Sequence, residues 1–408
     1  MPTSTNRTTS SLALIHGNIL IYAFAFWLTQ PVLPFLLQEL SADKLLFSRF
    51  QTFCSFLQLL GGPLAGRICD TFGFSITLGA SQAAASLSYA LLAASTSVPT
   101  LFLSQLPTMF MHAMHAAQSA MTILAPDNMR ATAMGRLSLS YGVGMVLGSY
   151  VGGVVSVAYS TKHSAILAAV LSAAVLPVNW VVFHGISTAT PSSTTNTLKT
   201  TTTSLDVFKI VQVLRQPQVW GTLTTQVLLG LALSLHRSTF SDILRQNLSL
   251  DPQGVGLVMS VSGVVSILAN GVLLQLFLSR WSERSVALVA SGLIALSFGA
   301  YANLELGPSV LQPLMALTVL LSGASAIAYT VLSSQMSKGA SKDDRATAIG
   351  LSHASRSACG LVAPTLGTML LHAYGFQALG YFCSAMASCS VVYSARQSPS
   401  LGKTKKDD

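Results

Sequence analysis

The chain has 408 residues, of which 9% are charged and 51% are hydrophobic, with a formal net charge of +9. A soluble domain would be about a quarter charged, so composition alone excludes an ordinary soluble enzyme or binding module. Apolar runs of about twenty residues, enough to cross ~30 Å of hydrocarbon, recur along the chain, and the short alternating segments of a β-barrel are absent. The expected class is an all-α integral membrane protein.

The first apolar run, 12–37, follows a polar N-terminus with no small-residue cleavage pattern and reads as a retained span. Further spans are expected at 47–68, 75–95, 100–123, 134–157, 164–184, 218–240, 253–278, 286–303, 309–332, 346–371 and 376–395. Between them the loops are short, except at 185–217. That stretch contains STATPSSTTNTLKTTTTS, polar and of low complexity, and reads as a flexible cytosolic linker. It separates an N-terminal six-helix bundle, 1–184, from a C-terminal one, 218–395, which is followed by a basic cytosolic tail, 396–408.

With both termini cytosolic, sixteen of the 22 basic residues lie inside. Lys44, Arg49, Lys162, Arg237 and Arg245 lie outside, and Arg356 falls within a span. This is the positive-inside bias; the charge accounts for orientation rather than for a nucleic-acid partner. The expected location is a plasma membrane or endomembrane. Five cysteines, Cys54, Cys69, Cys359, Cys383 and Cys389, show no metal-binding or disulfide spacing and read as small apolar packing residues. Asn247-Leu248-Ser249 fits a glycosylation sequon on the outer side, used or unused.

RATAMG at 130–135, before the fifth span, returns as RATAIG at 345–350, before the eleventh. The same offset pairs Gly152 with Gly367, so the two halves read as duplicated parallel repeats. At each copy an acidic residue, Asp127 or Asp343/Asp344, can cap the starting helix. Arg130 and Arg345 stand at the cytosolic face, and Gly135 and Gly350 allow close helix approach. Orientation and capping explain most of these choices without any transport role.

GGPLAGRICDTFG, 61–73, ends the second span. The spacing of Gly66, Asp70 and Gly73 resembles the loop signature of the major facilitator superfamily between spans two and three. The resemblance implies that Asp70 helps latch the two halves on the cytosolic side. Phe74 and Ser75 replace the basic pair usual there, so Arg67, Arg130 and Arg345 are the substitute partners considered for Asp70; a plain turn is the other reading. In GRLSLSYGVGMVLGSYVGG, 135–153, Gly135, Gly144, Gly148, Gly152 and Gly153 resemble the superfamily's antiporter pattern, with Ser149 where a proline is expected. Glycines four apart equally make an ordinary packing stripe.

Together FLQLLGGPLAGR (56–67), MGRLSLSYGVGMVLGS (134–149) and GLVMS (256–260) are similar to the solute carrier family 22 branch with organic-cation- and tetracycline-transporter-like members. The resemblance implies the major facilitator fold, twelve transmembrane helices in two pseudo-symmetric six-helix bundles. It also implies a monomeric secondary transporter of small organic molecules, of the drug or organic-cation efflux type, exchanging substrate for protons.

No acidic residue lies near the middle of a span, and Gln105 stands in span four where the superfamily commonly has arginine. At depth the polar candidates are Arg356 with His353, and His112 with His115; each also reads as a polar tie between helices. Trp27, Tyr22 and Tyr329 offer aromatic faces. Two mechanisms remain open: proton coupling through His112, or uncoupled facilitation of neutral or anionic solutes. A transporter-derived scaffold or sensor is a third reading. No nucleophile–base pair, metal cluster or phosphate loop is present in the sequence, so neither an enzyme nor a metal or cofactor is expected. The expected partners are a small organic substrate, protons and the lipid bilayer.

Overall fold

A computed structural model describes residues 4–40, 44–124, 130–183, 207–246, 248–304, 310–341 and 344–397, and they contain helices and turns but no strand. The readings made for Asp127, Asp343, Asn247, linker residues 185–206 and tail residues 398–408 lie outside the described residues.

The helices are α1 (Ser4–Thr29), α2 (Leu33–Glu39), α3 (Lys44–Ala93), α4 (Val98–Gln105), α5 (Ala113–Leu124), α6 (Arg130–Ala158) and α7 (Thr161–Phe183). They continue with α8 (Val207–Leu214), α9 (Pro217–Gln246), α10 (Pro252–Leu268), α11 (Leu274–Leu278), α12 (Glu283–Ala302), α13 (Leu311–Gly339) and α14 (Arg345–Arg396). A 3₁₀ turn, Leu106–Phe110, joins α4 toward α5, and a π turn, Ala269–Leu273, joins α10 to α11.

Nine helices among the described residues are long and apolar enough to cross a membrane. They account for ten of the twelve expected spans, because 351–396 holds the last two. That helix turns at Gly375 (φ 85°, ψ 175°), as α3 turns at Gly73 (φ 82°, ψ 166°) between spans two and three. Only glycine takes such a backbone without strain. The second span is diluted by Gly61-Gly62-Pro63 and Arg67. The fourth is not the continuous helix expected over 100–123: it breaks over Leu106–Phe110, where Pro107 can neither donate to nor fit the preceding turn.

Grouped by contacts, one compact unit is Met1–Leu198 with Ser238–Ile267 and Leu306–Leu311; the other is Lys199–Arg237, Leu268–Glu305 and Gln312–Asp408. The first unit's core is built from small side chains, Ala113, Ala116, Ala117, Ala120 and Ala168, around Ile15, Ile19, Leu28 and Leu78. Large apolar side chains such as Val170 and Trp180 point outward. Lipid is as apolar as leucine, so close approach of small residues, not burial of large ones, drives such packing. In the second unit Val213 of α8 is fully buried with Val219, Met336, Ala340 and Ala348. Burial of one valine contributes about 2 kcal/mol, which is why the end of the polar linker forms a helix rather than continuing as coil.

Candidate functional site

The first unit places the fifth-span glycines of α6 on two working faces. Along one, Gly144, Gly148 and Gly152 lie against the backbone of α1 at Leu20, Phe24 and Leu28. A Cβ at those three glycines would sit 2.4, 2.4 and 2.1 Å from the facing carbonyl oxygens. Along the other, Gly153 meets the Pro252 carbonyl, and Gly256 of α10 meets the Ser149 carbonyl, with hypothetical Cβ distances of 2.5 and 2.3 Å. Ser260 Oγ donates to the Val146 carbonyl at 2.8 Å along the same seam. Ser149, standing where proline was expected, keeps a small side chain that lets α10 come this close. The side-chain environment of Gly135 lies outside the described residues.

The break in span four exposes backbone groups that other helices satisfy. Tyr22 donates to the Met111 carbonyl at 2.6 Å, and Ser81 Oγ donates to the Phe110 carbonyl at 2.8 Å. The His112 backbone N–H reaches the Phe110 carbonyl at 2.9 Å and Ser81 Oγ at 3.2 Å. Gly61 of α3 faces both the Met109 carbonyl and His112 Nε2, and that nitrogen is buried with no hydrogen-bond partner among the described residues. His115 is exposed, its ring 5.4 Å from that of His112 and edge-on to it.

Two other expected cavity residues make hydrogen bonds between helices. Gln105 accepts from Cys54 Sγ and donates to Ser104 Oγ at 3.0 Å, tying the fourth span to α3. Trp27 Nε1 donates to the Tyr141 hydroxyl at 3.3 Å, between α1 and α6. A buried amide cluster went unread in the sequence: Asn18 donates to Asn179, and Gln82 Nε2 donates to Asn18 Oδ1 at 2.7 Å. It links α1, α3 and α7, and its signal was three lone amides inside apolar runs.

In the second unit Arg356, His353 and Tyr329 come together. The Arg356 guanidinium carbon lies 4.0 Å above the Tyr329 ring, and Nη2 lies 3.1 Å from His353 Nδ1. Arg356 is eleven residues into α14, about 16 Å along it at ~1.5 Å per residue. Arg237, read from sequence as an outside charge, lies well within α9.

The cytosolic motif is partly described. Gly73 makes the turn; Gly66 faces open space; Arg67 is exposed, and its carbonyl accepts from Thr71 at 2.8 Å. The side chains of Asp70, Arg130 and Arg345 lie outside the described residues, and so does any pairing among them. Asp344 stands at the N-cap of α14 without capping it, contrary to expectation. Its Oδ2 accepts from Gln216 Nε2 at 2.9 Å and Ser341 Oγ at 2.8 Å, which fastens the end of the linker beside the second RATA copy.

At the other end of the first unit α9 runs to Gln246, beyond its expected limit, and so carries Asp242 inside a helix. Asp242 is 5% exposed and accepts from Arg245 at 2.9 Å and Gln246 at 2.6 Å, while Arg245 donates to Gln38. These residues and Pro34, Phe35 and Pro252 border a cavity of about 720 Å³. The carboxylate is buried and paired, and it lies near the end of the helix rather than at its middle.

Long apolar helices, a core of small residues and buried polar groups inside the spans define a helical integral membrane protein. A family comparison makes this specific: the Major Facilitator Superfamily pattern matches residues 16–241 and 225–407, and the chain belongs to that superfamily. Within it the chain is similar to solute carrier family 22 member 18 of Rattus norvegicus, 32% identical over 365 residues, covering 86% of this chain and 85% of the relative. It is 31% identical over 365 residues to solute carrier family 67 member A1 of Homo sapiens, covering 86% and 83%. The fold matches that of the nucleoside transporter NupG with a TM-score of 0.73 at 16% identity, covering 94% of this chain and 97% of that one. The major facilitator fold implied by the sequence is therefore the fold of this protein.

Proposed function

We propose that the protein is a secondary transporter of small organic molecules, working by alternating access between two sequence halves, 1–184 and 218–395. The observation that carries this reading is the seam between α6 and α10. There Gly153 and Ser149 meet Pro252 and Gly256 backbone to backbone, a surface of small residues on which helices slide without dragging interlocked side chains. The test is a reversible lock. The double variant Ser149→Cys/Gly256→Cys, oxidised in proteoliposomes, should lose uptake and regain it on reduction. Full uptake by the cross-linked protein refutes the reading.

The coupling ion we propose is the proton, carried by His112. Its Nε2 and the Met109 carbonyl share the face of Gly61; protonation guarantees a donor at Nε2 beside that acceptor, whereas the neutral ring holds its single N–H on either nitrogen. Uptake driven by an imposed pH gradient in the native protein, and uncoupled from it in His112→Gln, is the expected result. A native protein indifferent to the gradient is an uncoupled facilitator.

A further inference from the structure

We infer that Asn18, Gln82 and Asn179 bind one ordered water molecule, which closes their three side-chain amides into a ring. The inference is independent of the transport reading and concerns how α1 is fastened to α3 and α7.

The amides form an open chain. Gln82 Nε2 donates to Asn18 Oδ1 at 2.7 Å, and Asn18 Nδ2 donates to Asn179 Oδ1. An acceptor, Gln82 Oε1, is left at one end and a donor, Asn179 Nδ2, at the other. Both are buried without a hydrogen-bond partner among the described residues. Turning all three amides over would reverse the chain and still leave one donor and one acceptor. Gln82 is 0% exposed, and Asn18 and Asn179 are 4% exposed. Bulk solvent therefore does not reach the ends, and hydrocarbon offers them neither donor nor acceptor. Buried amide groups in that position cost free energy until they are paired.

The occupant that satisfies both ends must accept from an N–H and donate to a carbonyl oxygen. Water does both. A metal cation would face the hydrogens of Asn179 Nδ2, and an anion would face the oxygen of Gln82. The ends do not meet directly, because Asn18 already holds each terminal amide by its other atom. Ser86, one turn beyond Gln82, also donates to the Ala169 carbonyl at 3.0 Å and so sets the spacing of α3 and α7.

Room lies beside α3. Gly79 stands three residues before Gln82, on the same helix face, and a Cβ there would meet nothing within 4 Å. An occupant the size of water, with polar partners on two helices, is the usual content of such a buried polar site. Closing the ring gives α1 a second anchor. Asn18 and Leu20 are two residues apart on a helix of ~3.6 residues per turn, so the ring holds α1 roughly opposite the glycine contacts of α6.

The experiment is nuclear magnetic resonance on the full chain in lipid nanodiscs, with isotope-labelled asparagine. The Asn179→Leu variant identifies the Asn179 side-chain signal by its loss. In the native protein that signal should show magnetisation transfer from a bound water. In Gln82→Met, which removes the acceptor end but keeps Asn179, the transfer should disappear. Its absence from the native protein, or its persistence at native strength in Gln82→Met, overturns the inference. Melting and elution profiles establish that Gln82→Met is folded. If it is not, a crystal structure of the native chain grown from a lipid mesophase decides. Water density within hydrogen-bond distance of both Gln82 Oε1 and Asn179 Nδ2 supports the ring, and density that is absent or touches one end alone overturns it.

Discussion

Gly152→Ala is the sharpest test of how α6 is held. The added methyl carbon would lie 2.1 Å from the Leu28 carbonyl oxygen and 2.8 Å from its carbon. An ordinary contact begins near 3.4 Å, so α1 and α6 must separate by about 1.3 Å at this point. The obstructing atoms are backbone, so no side-chain rotation relieves the clash. Overpacking of this kind costs roughly 1–3 kcal/mol, and alanine's better helix propensity returns about 0.5–1 kcal/mol. A net loss on the order of 1 kcal/mol is expected. Gly66→Ala is the matched control, because its Cβ meets nothing within 4 Å and only the propensity gain remains. Size-exclusion thermostability of the detergent-solubilised protein should fall for Gly152→Ala and hold or rise for Gly66→Ala. If Gly152→Ala is as stable as Gly66→Ala, the α1–α6 seam is not a close-packed surface and the reasoning fails.

Asp242→Ala should destabilise by on the order of 3 kcal/mol, since it strands a largely buried Arg245; adding Arg245→Gln should recover part of the loss in the same thermal assay. Gly375→Ala should cost about 1–3 kcal/mol through backbone strain alone, because φ is +85° and no neighbour lies within 4 Å; a neutral result would refute the turn geometry. Tyr22→Phe should cost about 1–3 kcal/mol by leaving the buried Met111 carbonyl unpaired. Hydrogen exchange around 106–112 should then rise more than in α5, and uniform exchange would count against the assigned role of Tyr22.

The sequence by itself determined the class, because span length and charge placement answer to the bilayer and not to tertiary contacts. Apolar runs of sufficient length, basic residues concentrated in alternate loops, and a near-repeated hexapeptide are features of the chain itself. The turn at Gly73 was written there too, in a residue whose backbone limits are intrinsic; the break over Leu106–Phe110 was missed, although Pro107 carries equally local limits. The glycine pattern of the fifth span was legible as a stripe, but a stripe does not say what it touches. Only the tertiary structure decided that Gly144, Gly148 and Gly152 lie on α1 while Ser149 and Gly153 lie against α10. The polar groups changed meaning for the same reason. Gln105 and Trp27, candidate cavity residues from the sequence, also tie neighbouring helices together, because an isolated donor in lipid takes whatever partner the fold brings near. Arg356 and Tyr329 are 27 positions apart in sequence, and nothing in either helix alone foretells their stacking. Their charge and aromatic character were written in the chain; that the cation covers the ring is a property of two helices packed side by side.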